Sequence, residues 1–189
     1  YIDREVPKLD EYTVKTSASL SGVLHIGRLS DTVRSESVVI ALKDAGIKTR
    51  FIWVAENMDS LRKVPQGVPK DFEKYIGVPV TDIPDPDGCH KSYADHHMEE
   101  YFKVVDQFVV TKMEKFSMRE EYKKGSFNQF IKKILEKIDD VKEIQNKYRR
   151  EPLKQGWSPW APICENCGKI VTPNITDFRD GIVTYICKD

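Results

Sequence analysis

Nine consecutive residues, Leu20-Ser-Gly-Val-Leu-His-Ile-Gly-Arg28, carry most of the information about the architecture of this chain. The β-type run Tyr12–Thr16 precedes them, and the apolar run Phe51–Ala55 further on predicts a strand buried on both sides. Between these runs lies a helical pattern, and the residues expected to share one helix face are Leu29, Val33, Ser37, Ile40 and Ala41. The order strand, turn, helix and strand predicts the opening βαβ unit of a nucleotide-binding sheet, with the turn at a helix N-terminus where anions are stabilised.

The residue types in this turn fit the binding of a nucleoside triphosphate. Gly22 and Gly27 remove side chains that would hold phosphates away from the backbone, and Gly27 would let an adenine ring lie flat against the start of the helix. His25 can donate to phosphate oxygens as charge builds during displacement at the α-phosphorus. The alternative is an ordinary strand-to-helix turn with a surface histidine, because His-Ile-Gly is a short motif that arises by chance.

The composition is typical of a soluble globular chain without a global electrostatic field. The 189 residues include 30 basic and 30 acidic side chains, so any contact with a nucleic acid must come from a local patch. No apolar stretch approaches the roughly 20 residues of a membrane span and no signal-peptide pattern is present, so we expect a cytoplasmic location. Because the chain begins at Tyr1 rather than Met and stops at Asp189, we interpret it as a fragment.

A loop-rich crossing and a long amphipathic helix follow the second strand. Residues 56–88 contain five prolines and one predicted short helix, over residues 71–76. Ser92 and Asp95 form a capping box at the start of the long helix. The apolar stripe of this helix consists of Met98, Tyr101, Phe102, Val105, Phe108 and Val109.

Further helices are expected beyond the amphipathic one. A strand near Phe116 precedes a short helix over residues 118–124, which Gly125 ends, and Ser126 is predicted to cap a longer helix. The apolar side of that longer helix, which Pro152 ends, comprises Phe127, Phe130, Ile131, Ile134, Leu135, Ile138, Val141 and Tyr148.

The first potential metal site lies in the proline-rich crossing and the helix after it. Asp85, Cys89, His90 and His96 offer one carboxylate, one thiolate and two imidazoles within twelve residues, a set that suits tetrahedral zinc. His97 competes with His96 as a ligand, because adjacent helix positions face different ways. The alternative is a surface loop with solvated histidines.

The second potential metal site is near the end of the chain. Cys164-x2-Cys167-Gly168 has the spacing of a zinc knuckle, in which the glycine permits the turn that directs both sulfurs at one ion. Cys187 supplies a third ligand, and we expect the fourth just beyond Asp189. Zinc in a structural role is favoured over a redox pair in a cytosolic chain.

Other charged residues are candidates for substrate contacts. Glu56 and Asp59 follow the second strand, at the sheet edge where open α/β folds place ligands, and could hold a cationic substrate group or a metal. Arg62 with Lys63 suits a phosphate or a pairing with Glu56. The run 147–150, Lys-Tyr-Arg-Arg, is either an RNA contact or an ordinary charged helix end.

Taken together, these motifs resemble the class I, archaeal-type lysyl-tRNA synthetases. The segments that carry the resemblance are Ser21-Gly-Val-Leu-His-Ile-Gly27, Leu61-Arg-Lys-Val-Pro65, Asp82-Ile-Pro-Asp-Pro86, Gly88-Cys-His-Lys-Ser-Tyr-Ala94 and Ile144-Gln-Asn-Lys-Tyr-Arg149. The resemblance implies an α/β fold whose residues 1–155 form the first half of a Rossmann-like (HUP-type) parallel-sheet domain with a helical insertion. It implies a small zinc-ribbon-like module, truncated at its C-terminal end, over residues 156–189.

The resemblance also implies an activity, its substrates and its site residues. In that family ATP, with Mg²⁺, activates lysine as an adenylate, and the lysyl group passes to the 3′ end of tRNA(Lys). The residues expected to bind ATP are Ser21, Gly22, His25 and Gly27, of which His25 and Gly27 are the catalytic candidates. Those expected to contact the amino acid are Ser17, Ser19 and Glu56. Two zinc sites are implied, and the Lys-Met-Ser-Lys-Ser-type loop and the anticodon-reading helices are expected after the end of this sequence.

Two other functions fit the same motifs. One is a different nucleotidyltransferase with the His-Ile-Gly motif, acting on another amino acid or a small molecule. The other is a non-catalytic paralogue, a zinc-bearing module that binds RNA.

Overall fold

The centre of the molecule is a parallel sheet of three strands in the order β1-β2-β3. The computed structural model describes residues 8–154 and 156–189. β1 spans Tyr12–Ser19, β2 spans Thr49–Glu56 and β3 spans Glu114–Ser117. All three strands predicted from the sequence are therefore confirmed.

Two helices connect the parallel strands. Parallel neighbours need crossover connections, and α1 (Ile26–Asp44) joins β1 to β2 while α2 (Tyr93–Val105) lies between β2 and β3. The crossing before α2 contains two short 3-10 helices, Lys70–Tyr75 and Val80–Asp82. The first of these is the short helix predicted for this segment.

A hydrophobic core lies between the sheet and the two crossover helices. Trp53, at the middle of β2, is fully buried, and its ring centroid lies 4.8 Å from that of Phe102 and 5.8 Å from that of Tyr101, both on α2. Leu20, just after β1, is also fully buried. Burying a side chain of this size contributes about 1.5–3 kcal/mol, so these contacts hold the end of β1 firmly in place.

The buried face of α1 differs from the predicted one. The buried residues are Thr32, Glu36 and Val39, whereas Ser37, Ile40 and Ala41 of the predicted face are exposed. Leu29 and Val33 do pack against the margin of the core. The prediction was wrong because two polar side chains on the buried face find partners there. Thr32 bonds the hydroxyls of Thr16 and Tyr101, and the Glu36 carboxylate accepts from the backbone N–H groups of Val110 and Thr111.

The start of α2 was predicted correctly and its end was not. The Ser92 hydroxyl accepts from the backbone N–H of Asp95 at 3.1 Å, which confirms the cap. The helix ends at Val105, four residues before the predicted stripe does, and Phe108 of that stripe is 58% exposed.

Helix α3 (Met118–Lys123) follows β3 directly and ends as predicted. Gly125 has a φ of 75°, a backbone conformation that other L-residues rarely adopt, and its N–H donates to the carbonyl of Tyr122.

The long helix predicted after Ser126 is two helices, α4 (Asn128–Glu136) and α5 (Ile138–Tyr148). Lys137 separates them with a non-helical backbone, φ −112° and ψ 30°. Ser126 does not cap α4, because its hydroxyl donates instead to the Glu121 carboxylate at 2.8 Å.

The chain ends in an antiparallel hairpin of β4 (Pro173–Arg179) and β5 (Ile182–Cys187). Asp180 and Gly181 form its turn, and both have positive φ, which is typical of a two-residue hairpin turn. The hairpin places Cys187 beside the loop that carries Cys164 and Cys167.

Candidate functional site

His25 lies at the carboxyl edge of the sheet and caps α1. Its backbone is extended, and its ring Nδ1 accepts from the backbone N–H of Gly27 at 3.1 Å. This bond leaves the proton of a neutral imidazole on Nε2, since Nδ1 acts as the acceptor. The ring is exposed and the first turn of α1 contains no acidic residue. The turn therefore presents an N–H donor and a helix N-terminus to solvent, an arrangement suited to an anion.

Gly27 is required by the His25 ring itself. A Cβ at residue 27 would lie 2.8 Å from His25 Cε1 and 2.9 Å from Nδ1, closer than side chains tolerate. At Gly22, by contrast, the nearest atoms to such a Cβ lie 3.9 Å away. The two glycines of the motif thus differ, because only Gly27 has a neighbour that excludes a side chain.

The residues predicted to contact an amino acid meet at the same edge of the sheet. Ser19 and Glu56 are register partners at the carboxyl ends of β1 and β2, and the Ser19 hydroxyl donates to that of Ser21 at 3.4 Å. Lys15 Nζ lies 3.5 Å from Ser17 Oγ and 3.9 Å from Glu56 Oε1. Lys15 is thus the cation beside Glu56, a contact that the sequence did not suggest.

Asn57 is a buried residue of this edge that the sequence prediction did not include. Its side-chain amide donates to Ser117 Oγ at 2.9 Å and its carbonyl accepts from the backbone N–H of Arg119 at 3.0 Å. The Arg119 guanidinium in turn lies 3.0 Å from the Asp82 carboxylate. Asn57 therefore fixes the ends of β2 and β3 to each other, and an asparagine directly after a buried strand was the only signal for it.

The first predicted metal cluster is assembled in the structure. Cys89 Sγ lies 3.0 Å from His90 Nδ1, 3.4 Å from His96 Nδ1 and 3.2 Å from Asp85 Oδ2. His96 Nδ1 lies 3.2 Å from Asp85 Oδ1. Ligand atoms about 2.0–2.3 Å from a tetrahedral zinc ion are about 3.3–3.8 Å apart. The donor set and these separations fit zinc.

Carboxylates outside the cluster orient its two histidines. His90 Nε2 lies 2.8 Å from Glu99 Oε2, and His96 Nε2 lies 3.5 Å from Glu100 Oε1. A carboxylate on the far nitrogen fixes the ring orientation of a zinc-binding histidine and makes it a better ligand. Both acids lie on α2, so one helix supplies a ligand and the groups that support it.

Hydrogen bonds set the protonation of this cluster without metal. Burial favours neutral Asp85, but the Cys89 thiol and the backbone N–H groups of Asp87 and His90 hold the pKa of this carboxyl well below its usual range. The same contact with Asp85 raises the pKa of Cys89. The Glu99 carboxylate raises the pKa of His90. Metal binding must therefore displace the proton of the Cys89 thiol and, below the raised pKa of His90, a proton of that ring as well.

His97 lies outside the first cluster and faces a different space. It is buried, neither ring nitrogen has a hydrogen-bond partner, and burial lowers its pKa. Its ring packs edge-on against Tyr93 at 4.6 Å. His97 also lines a cavity with His25. Of the two histidines that competed in the sequence prediction, His96 is the one placed among the other three ligands.

The second cluster brings together three sulfurs. Cys164, Cys167 and Cys187 lie within 4.8 Å of one another, and the 3.6 Å between the sulfurs of Cys167 and Cys187 is too long for a disulfide. Backbone N–H groups of Cys167 and Asn166 lower the pKa of Cys164 to about 7, which favours a thiolate. Within residues 8–154 and 156–189, no fourth Cys, His or acidic ligand joins this group.

The fold and the edge of its sheet define a class of protein. A parallel sheet whose first helix begins at a His-Ile-Gly turn, at the carboxyl edge where such sheets bind ligands, is typical of a nucleotide-binding α/β domain. A sequence profile described as "tRNA synthetases class I (K)" matches residues 2–189. The chain belongs to this family.

Individual relatives agree with the profile. The chain is 36% identical over 185 residues to a lysine–tRNA ligase of Methanocaldococcus jannaschii, covering 97% of this chain and 35% of the relative. Over 180 residues it is 33% identical to that of Methanosphaera stadtmanae, covering 95% and 34%. With the enzyme of Methanococcus maripaludis the identity is 36% over 181 residues, covering 95% and 34%. The chain therefore spans about a third of the length of these curated relatives.

None of the helices in the described parts of the chain combines the length and the apolar character that a membrane crossing requires.

Proposed function

We propose that the protein containing this chain is a lysine–tRNA ligase. It activates lysine with ATP as lysyl-adenylate and transfers the lysyl group to the 3′ end of tRNA(Lys). The match of residues 2–189 to the class I (K) family carries the proposal, and the exposed His25 donor at the start of α1 supports it. The activity is proposed for the whole protein, since the chain covers about a third of its relatives.

The first step is an in-line displacement at the α-phosphorus of ATP. A carboxylate oxygen of lysine forms a bond to that phosphorus, the bond to the β-phosphate bridging oxygen breaks, and pyrophosphate leaves, with Mg²⁺ accompanying the nucleotide. The Nε2–H of His25 donates to the phosphate oxygens as their charge grows, and Ser21, Gly22 and Gly27 shape the turn that receives them. The chain supplies position and charge, and no side chain acts as a nucleophile.

The amino acid lies at the edge formed by Ser17, Ser19 and Glu56. The hydroxyls hydrogen-bond the substrate, and the Glu56 carboxylate attracts its ammonium group. Lys15 competes for Glu56, but at 3.9 Å and with both side chains partly exposed this pair is weak. A substrate ammonium can therefore displace Lys15 without a large loss of free energy.

Zinc has a structural role in this proposal. Asp85, Cys89, His90 and His96 would hold one ion with four protein ligands, and a site of four protein ligands would be structural rather than catalytic. The three cysteines at 164, 167 and 187 belong to a second zinc site in a separate module over residues 156–189. Residues 1–155 are the first half of the catalytic domain.

The test is lysine-dependent ATP–pyrophosphate exchange on the whole protein, with the other amino acids as controls. Exchange with lysine alone supports the proposal. Exchange with a different amino acid indicates another nucleotidyltransferase with the His-Ile-Gly motif. Absence of exchange in folded, zinc-loaded protein indicates the non-catalytic RNA-binding paralogue.

Replacing His25 tests its assigned role. We expect His25→Ala to slow adenylate formation at least tenfold, which is about 1.4 kcal/mol of transition-state stabilisation. His25→Asn is the matched control, because asparagine also caps helices but lacks a donor at the position of Nε2. Equal losses in both variants support phosphate contact; recovery of the rate in the Asn variant would mean that His25 acts only as a cap.

A further inference from the structure

A cavity of about 480 Å³ lies where helices α3 and α4 meet the loop that leads into the cysteine cluster. It is at the carboxyl edge of the sheet, because Met58 comes two residues after β2 and Arg119 two residues after β3. Open α/β sheets place their ligands at this edge. The loop contributes Pro159, Trp160, Ala161, Pro162 and Ile163, followed by Ile170. The cavity has the size of a site for one small ligand.

The charged side chains that line this cavity are cations. Arg119 and Lys123 both come from α3, and none of the described residues lining the cavity is Asp or Glu. Lys123 is exposed and lies 3.4 Å from the carboxylate of Glu120 on its own helix, a weak surface pair. Acidic and basic residues are equally numerous in the chain, so a cavity with cations alone is a local feature that favours an anionic ligand.

The guanidinium of Arg119 is fixed in place but short of acceptors. Its Nη2 lies 3.0 Å from the Asp82 carboxylate, which holds the group in one position. Its Nη1 faces the sulfur of Met58, a weak acceptor, at 3.9 Å, and its Nε is buried without a hydrogen-bond partner. Since the side chain is 24% exposed, a ligand in the cavity can reach it. A phosphate oxygen is the acceptor that a guanidinium pairs with best.

The walls of the cavity suit a planar ring. Trp160 comes from the loop and Tyr122 from α3, and both are half-buried. Aromatic side chains stack on nucleobases, and every base has a face that allows it. Pro159 and Pro162, on either side of Trp160, restrict the backbone, so the loop loses little freedom when a ligand binds. Asn128, the exposed first residue of α4, adds an amide that can pair with the edge of a base.

We propose that this cavity binds a nucleotide, with the base against Trp160 and the phosphate at Arg119 and Lys123. An unpaired nucleotide of an RNA strand and a free nucleotide share this chemistry, whereas a base inside a duplex is stacked on both faces and cannot enter. The cavity has no lining residue in common with the cavity beside His25, so it is a second nucleotide site of the chain. The inference does not require lysine activation, because a non-catalytic RNA-binding paralogue would use the same site.

The experiment measures equilibrium binding to the whole protein with three probes. They are an RNA hairpin with an unpaired 3′ end, the same hairpin with a blunt end, and cytidine 5′-monophosphate, which lacks the adenine proposed for the His25 turn. We expect Trp160→Leu, which keeps an apolar side chain without an aromatic face, to bind the first hairpin about tenfold more weakly than wild type. Trp160→Phe keeps a ring for stacking and should bind within about threefold of wild type.

A second pair of variants tests the phosphate contact. Lys123→Gln removes a cation from the cavity, and Lys124→Gln removes its neighbour, which is exposed on the same helix and does not line the cavity. We expect weaker binding of the first hairpin and a smaller salt dependence for Lys123→Gln only. Equal losses in the two variants would mean a diffuse surface charge and would overturn the phosphate contact.

The pattern of losses identifies the source of the nucleotide. A loss for the hairpin with the unpaired end alone assigns the cavity to RNA, and a loss that extends to cytidine monophosphate assigns it to free nucleotides as well. Unchanged binding of both probes in Trp160→Leu would overturn the inference. So would an equal loss for the blunt hairpin, because a paired base cannot enter the cavity.

A further measurement does not depend on the folding of any variant. A hairpin with 4-thiouridine in its unpaired end is irradiated on the wild-type protein, and crosslinked peptides are identified by mass spectrometry. Crosslinks should fall on Trp160 or Tyr122, and crosslinks confined to residues outside the cavity would refute the site. Pyrophosphate exchange needs no RNA and is assayed separately. Crosslinking at Trp160 without exchange would refute the proposed ligase activity alone, and lysine-dependent exchange without this crosslink would refute the nucleotide site alone.

Discussion

The imidazole of His25 and the absent side chain of Gly27 form one unit at the start of α1. The ring folds over the backbone of residue 27 to accept its N–H at 3.1 Å, and it can do so only because no Cβ occupies that space. The glycine therefore acts on the proposed chemistry through the histidine, whether or not an adenine ring also packs there.

Gly27→Ala should separate stability from activity. The new Cβ would lie 2.8 Å from His25 Cε1 and displace the ring, while alanine favours a helix by about 1 kcal/mol over glycine. We expect unchanged or slightly higher stability in urea denaturation and a loss of adenylate formation comparable to that of His25→Ala. Ser37→Ala, on the exposed side of the same helix, is the control and should retain activity. Equal activity of the two alanine variants would contradict this account.

Single residues were predictable where their chemistry is rare and their spacing is short. Asp85, Cys89, His90 and His96 were found from residue type and spacing, and the structure brings their ligand atoms together. His97 was assigned only as a competing ligand, because a sequence shows neither burial nor the absence of a hydrogen-bond partner.

The buried face of helix α1 carries a carboxylate, that of Glu36, where the sequence pattern predicted apolar side chains. Glu36 is 5% exposed, and its Oε1 accepts from Val110 N at 2.8 Å and Thr111 N at 2.6 Å. It anchors to α1 the segment that leads from α2 into β3. The periodicity of apolar residues could not reveal this face, since the partners of Glu36 are backbone groups more than seventy residues away.

Glu36→Ala should destabilise the protein strongly. Hydrogen bonds to a charged group contribute about 1.5–3 kcal/mol, and removing the carboxylate leaves two backbone donors without their acceptor. We expect a loss of about 2–4 kcal/mol in the free energy of unfolding from denaturant titrations, and a smaller loss for Glu36→Gln, which keeps an acceptor. Ser37→Ala, on the exposed side of the same helix, should change stability by less than about 0.5 kcal/mol. A Glu36→Ala variant as stable as wild type would mean that the segment around Val110 and Thr111 does not need the carboxylate to keep its position.

The break between α4 and α5 shows a second limit of sequence patterns. The apolar residues of both helices follow one helical period, so a single helix was predicted. The spacing of apolar residues carries no information on the non-helical backbone of Lys137. Only Leu135 among the residues of these two helices is buried, so packing constrains them little. The parallel sheet and its crossover helices were predictable, because alternating strand and helix patterns admit few topologies.

On the scale of the whole molecule, one backbone contact joins the second cluster to the sheet domain. Ile170 N donates to the carbonyl of Gly77 at 2.8 Å, and Gly77 has a φ of 95° with no room for a Cβ beside Val171. The cysteine loop is thus fitted against the crossing that leads to the first cluster. Two structural ions would brace both sides of this junction.

A substitution in one cluster should therefore remove the zinc ion of that cluster and leave the other ion in place. We expect two zinc ions per molecule of whole protein by elemental analysis, one after Cys89→Ser and one after Cys167→Ser, since each change removes a ligand from a different cluster. Each variant is the control for the other, because the cluster that it leaves intact should keep its zinc ion. A stoichiometry of one in wild type, or loss of both ions from either variant, would contradict independent sites.

As the pH falls, the first cluster should lose its zinc ion at a higher pH than expected for a histidine ligand with an ordinary pKa. Glu99 raises the pKa of His90, so in metal-free protein the His90–Glu99 pair stabilises the fold below about pH 6.5, and this contribution is lost as pH rises through the raised pKa. Zinc needs neutral His90, so its affinity has the opposite dependence and weakens as pH falls through that same value. Competition with a chromophoric chelator between pH 8 and pH 5.5 measures this. Glu99→Gln should lower the zinc affinity at pH 8, because it removes the carboxylate that supports His90, and should shift the pH at which the affinity begins to fall to a lower value. An unchanged pH dependence would show that Glu99 does not control His90.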